Sequence, residues 1–181
     1  MARAESFPEP VLESIAAQAQ HCLGSLSRTL KPSVDIELRE AFKVFNISLA
    51  AIQDPSEKAL ADRVTWHRQW HVQLFQGDLP VGYALLGGEE EPVELQGVFI
   101  SSLAQAVDDA IQRIDRQELP EDGNPEVDLL IAPSHHLRML WIQRTGRPIM
   151  ALETELKREE PYEAEEILSR LREIPPIVGI T

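Results

Sequence analysis

The chain contains a single cysteine, Cys22, so no disulfide can form within it. A reducing cytoplasm is the simplest compartment for such a sequence. Basic residues are scarce: 17 Lys and Arg stand against 30 Asp and Glu, which leaves a formal net charge of −13. A surface this acidic repels phosphate backbones and anionic lipid headgroups at long range, which argues against nucleic-acid and membrane partners. Long apolar runs are missing as well. No stretch reaches the length of a membrane span, and "MARAESFPEP" lacks the apolar core of a signal peptide. There is no Walker loop, GxGxxG, GxSxG, CxxC or zinc-finger spacing. The sequence therefore offers no ready-made phosphate cradle, nucleophile elbow or thiolate metal site, and it implies no cofactor.

What is present is an ordinary globular balance. With 43% hydrophobic residues over 181 positions, residues 1–181 suit one globular domain with a sizeable core. An N-terminal helix is expected over 1–32. Ser6, Pro8 and Glu9 form its opening, and Leu12, Ile15, Ala19, Cys22, Leu26 and Leu30 recur at helical spacing. Cys22 lies on that stripe and reads as a core residue. In "VDIELREAFKVFNISLAAI" (34–52) two periods compete. Val34, Ile36 and Leu38 alternate as in a strand, but Leu38, Phe42, Phe45, Leu49 and Ile52 follow a three-four rhythm for four turns. The longer pattern predicts a central, buried helix. "DPSE" (54–57) reads as a cap opening another short helix to about residue 63.

The stretch "VTWHRQWHVQLF" (64–75) carries Val64, Trp66, Trp70, Val72 and Leu74 at even positions, broken only by Arg68. Its odd positions are polar until Phe75, and this alternation favours a strand over a helix. "VGYALLG" and "VELQGVFI" follow as further strands, giving an antiparallel meander over 64–100. An amphipathic helix is predicted over 101–117, a buried strand at "VDLLIAP" and a C-terminal helix over 161–173. Residues 134–145 fit either strand or helix. The fold class is α+β: N-terminal helices packed on a mainly antiparallel sheet, ending in an apolar tail, 174–181.

His67 and His71 stand four apart, which makes them a metal pair only on a helix. On a strand they lie about 13 Å apart, too far to share one ion. Arg68 also stands where an HExxH motif places its Glu. With the tryptophans turned to the core, His67 and His71 are expected on the opposite, polar face. His135 and His136 are adjacent, so on a strand they point opposite ways. The combination of interest is tertiary: one histidine close to Asp108 or Asp109. These six residues are the candidate binding positions, with no metal assigned. The acidic groups Glu89–Glu91, Glu159–Glu160 and Glu163–Glu166 read as solvated surface, and the three tryptophans as core. The apolar tail is expected to dock on its own sheet edge, or to serve a protein partner or self-association.

The order of helices, then "PVGYALLGG…VELQGVFIS", then a helix, then "VDLLIAPSHHLRMLWIQRTGRPI" resembles the layout of the GNAT acetyltransferase superfamily over about residues 34–152. That resemblance implies an acyl-CoA cofactor and a V-shaped opening between two neighbouring strands after residue 100. The family's glycine-rich, basic pyrophosphate loop is replaced here by "ISSLAQAVDD", which has neither glycine nor positive charge. Three functions are therefore carried forward. The first is a non-enzymatic protein-binding or assembly module, the second a GNAT-like transferase lacking its loop, the third a histidine metal-binding protein.

Overall fold

The computed structural model describes residues 2–3, 7–26, 35–56, 58–88, 94–116, 126–143, 149–152, 156 and 160–177. In chain order the elements are β1 (Ala2–Arg3), α1 (Glu9–Leu26), β2 (Ile36–Ile47), α2 (Leu49–Gln53), β3 (Val64–Gln76), β4 (Leu79–Gly87) and β5 (Glu94–Ile100). Then come α3 (Ser102–Arg116), β6 (Val127–Ala132), β7 (Leu137–Ile142), β8 (Ile149–Ala151) and α4 (Ala164–Glu173). All strand pairs with a defined register are antiparallel except β2 with β6, and the class is α+β. The chain divides into two compact units: 1–43 with 68–116, and 44–67 with 117–181. Both β2 and β3 pass from one unit to the other.

In the first unit the strands lie in the order β5-β4-β3-β2, with β1 pairing antiparallel to β2. One face packs on α1. Ile15 and Ala19 of α1 are wholly buried against Ile36, Ala41, Val72, Leu74, Ala84 and Leu86. Phe7 adds an edge-to-face contact with Trp70, 5.4 Å between ring centroids. The alternation read in residues 64–75 is therefore real, with Trp70, Val72 and Leu74 turned towards α1. The opposite face is not solvated, because α3 packs on β4 and buries Leu103, Ala104, Val107, Ala110 and Ile114. That is why His71 and Gln73, polar residues at odd positions, are both fully buried.

In the second unit β2 pairs parallel with β6 through Val44↔Leu129 and Asn46↔Ile131, and the order continues β6-β7-β8. Its core joins Leu130, Ala132, Met139, Trp141, Ile149 and Ala151 of the strands to Ile52 of α2 and Ile167, Leu168 and Leu171 of α4. The outer edge of β8 is closed by Tyr162, whose backbone N–H and C=O both bond Ile149 at 2.7 Å.

Two expectations are corrected. Residues 36–47 form strand β2, not a helix. β2 lies between β3 and β6, and a strand with neighbours on both edges and covered faces loses its alternation. Only Leu49–Gln53 is helical, capped by Ser48 Oγ, which accepts from Ala51 N–H at 3.2 Å. "DPSE" does not open a helix: Asp54 is the C-cap of α2, and only a 3₁₀ turn, Leu60–Asp62, follows. The open choice at 134–145 resolves as a 3₁₀ turn, Pro133–His135, leading into β7. The helices expected at 101–117 and 161–173 are α3 and α4, the latter starting at Ala164. The Ser6 cap, Glu89–Glu91 and residues 178–181 lie outside the described residues.

Candidate functional site

His71, Asp108 and Asp109 belong to the first unit, while His67, His135 and His136 belong to the second. His67 is exposed on β3. His71 is buried, correcting the expectation of an outward polar face. Its ring stacks on Tyr83 at 4.4 Å and tilts against Phe42 at 6.0 Å. Tyr83 in turn stacks on Phe99 at 5.1 Å. The four rings make a ladder across β2, β3, β4 and β5. Beside it, Gln73 donates to the Ala104 carbonyl of α3 at 3.2 Å.

Asp108 and Asp109 are engaged along their own helix. Gln112 donates to Asp108 at 2.9 Å and Gln105 to Asp109 at 2.8 Å. Burial holds the Asp108 carboxyl above its ordinary range, and the neighbouring Asp109 charge adds to this. The Gln112 bond and the Arg39 charge pull the other way. No set of three or more His, Cys, Asp or Glu side chains is placed to hold a metal among the described residues.

His135 is buried in the turn before β7. Its Nε2 lies 3.2 Å from the Ile174 carbonyl, and its Nδ1 lies 3.0 Å from Ser134 Oγ. A carbonyl only accepts, so in the neutral ring Nε2 carries the proton and Nδ1 accepts from the Ser134 hydroxyl. Ile177 N–H bonds the Ser134 carbonyl at 2.7 Å. The described part of the tail is therefore tied to its own unit. A cavity of about 130 Å³ lies beneath it, lined by Leu49, Ile52, His135, Leu171, Arg172 and Pro175 among others. Pockets for a cofactor-sized ligand run to roughly 300–1,000 Å³, so this one is too small. His136 is exposed, with a left-handed backbone (φ 51°) as the turn ends.

A residue that the sequence did not single out organises the loop after α2. Arg63 is 6% exposed and donates to the carbonyls of Lys58, Ala51 and Asp54 at 2.9 Å each, and to that of Ser56. Arg172 of α4 adds bonds to the carbonyls of Ile52 at 2.7 Å and Asp54 at 3.2 Å. Orphan carbonyls at a helix C-terminus favour cations. This cluster is saturated within the chain and offers nothing to a ligand.

The surface with unused capacity is the end of the aromatic ladder. β5 pairs with β4 and with no second strand among the described residues. It exposes Phe99 at 43% and Ile100 at 37%, while Leu79 at the start of β4 is 51% exposed. Glycines let β5 close in on β4. A methyl group on Gly82 would overlap the Phe99 carbonyl oxygen, and one on Gly87 would overlap the Gln96 side chain. Over Gly87, Gln69 of β3 reaches across to bond Gln96 of β5.

No family model, curated protein or solved structure matches this chain. Among the described residues the only parallel pair with a defined register is β2 with β6, and β5, the strand ending at residue 100, pairs with β4. Leu79, Tyr83, Phe99 and Ile100 were not among the sequence candidates. The available signal was that "VELQGVFI" closes a meander and contains neither lysine nor proline, the usual guards of an exposed edge.

Proposed function

We propose that this chain is a protein-binding module that receives an extended segment of a partner along the outer edge of β5. The observation that carries the reading is an edge strand with exposed Phe99 and Ile100 and no guarding lysine, proline or covering strand among the described residues. An edge of this kind presents a row of backbone donors and acceptors, and an added strand satisfies them. Neighbouring side chains then supply specificity. The contrast with β8, whose edge is closed by Tyr162, supports the same reading. A binding role needs no reacting groups, and the six candidate residues are buried, bonded locally or isolated. The reducing cytoplasm suits a chain with one cysteine.

Panning a library of short peptides on the full chain tests this. Enriched peptides should share an alternating apolar pattern and lose binding to an Ile100→Lys variant whose fold is unchanged. Enrichment that ignores this substitution, or no enrichment, contradicts the reading.

A further inference from the structure

We infer that the segment received at β5 is basic as well as extended and apolar, an inference that rests on the binding role proposed for that edge. The charge around the edge is negative on balance: Glu9 and Glu13 of α1, Glu94 of β5 and Asp108, Asp109 and Asp115 of α3 stand against Arg113 and Arg116 of α3 and Arg68 of β3. β4 and β5 together carry one charged residue, Glu94, which is exposed. On one face α1 packs on β5, with Val11 and Leu12 of the helix meeting the same apolar cluster as Leu95 and Val98. α1 contains Glu9 and Glu13, both exposed, and no lysine or arginine. On the other face the ring ladder ends in Phe99, and α3 packs on β4.

An incoming strand thus meets exposed apolar side chains at Phe99 and Ile100, and surroundings in which carboxylates outnumber cations. Lysine or arginine on the solvent-facing positions of the segment complements those carboxylates, and aspartate or glutamate there is repelled. The same argument disfavours a second copy of this chain, because edge-to-edge pairing brings Glu94 towards its own counterpart's acidic surroundings. A chain of net charge −13 also adds like charge at longer range.

The experiment measures anisotropy of labelled short peptides with the full chain at low salt. One peptide alternates valine with lysine, a second alternates valine with glutamate, and a third is the lysine peptide with alternate backbone nitrogens methylated. The lysine peptide should bind about tenfold or more tightly than the glutamate peptide. Methylation, which removes strand hydrogen bonds but not charge, should abolish binding, and Ile100→Lys should weaken it. Lysine-peptide binding indifferent to methylation and to Ile100→Lys overturns the inference, because it marks unspecific attraction to an acidic surface. Equal binding of both unmethylated peptides, lost on methylation, overturns the charge preference but leaves the edge reading standing. Failure of every peptide overturns both. Concentration-dependent dimerisation by light scattering, abolished by Ile100→Lys, also overturns the inference by making a second copy the occupant.

Discussion

Arg63 shows how one side chain can replace a stretch of regular structure. Its guanidinium presents five donors in a fixed plane, and four carbonyls of residues 51–58 receive them. Arg63→Met keeps much of the buried stem but leaves those carbonyls short of donors. The expected loss is about 2–4 kcal/mol of folding stability, measured by chemical denaturation. Lysine should not rescue it, because one ammonium cannot span the same set of acceptors. Nothing in the sequence pattern marks Arg63, since the acceptors are backbone atoms that any residue supplies. The histidines show the reverse problem. Their spacing drew attention, yet His71 serves as a ring in a stack and His135 as a bridge between the Ser134 hydroxyl and the Ile174 carbonyl.

Strands explain most of what could be read in advance and most of what could not. β3, β4 and β5 have one face against α1, and the even-position apolar residues of β3 made that face visible. The interruption at Arg68 was visible too, and there the backbone is left-handed, with φ 56°. The sequence of β2 carries a helical spacing, through Leu38, Phe42, Phe45, Leu49 and Ile52, while burial on both sides erases the strand period. The polar odd face of β3 was legible as polar but not as covered. α3 was predicted, but its docking on β4 is a tertiary fact. At the β4–β5 pair the decisive residue is Gly82, which pairs with Ile100. Gly82→Ala places a methyl group against the backbone of Phe99, and backbone cannot step aside as a flexible side chain can. It should cost about 1–3 kcal/mol and weaken any peptide bound at the edge. Unchanged stability would show that β5 sits less tightly on β4 than described.

For the whole molecule, acidity is the governing property. Thirty carboxylate side chains face 17 basic ones, and the packing of α3 buries one of them in part. Because the Asp108 carboxyl is held above its ordinary range by burial, the folded state binds its proton more readily than the unfolded state does. Its favourable contribution is present below the ordinary carboxylate range and is lost as pH rises through the elevated one. Asp108→Asn should therefore raise the melting temperature at neutral pH, with the gain shrinking to nothing in acid. A gain independent of pH would assign the effect to something other than ionisation. No helix among the described residues is long and apolar enough to cross a membrane.

Amide hydrogen exchange on the full chain, with and without a peptide selected by panning, tests the central claim most directly. Binding should slow exchange at Glu94–Ile100, since an added strand takes up backbone donors that β4 leaves open. Unchanged exchange across Glu94–Ile100, with slowing instead around the tail at 174–177 or on α1, would contradict the assignment of β5 as the binding edge.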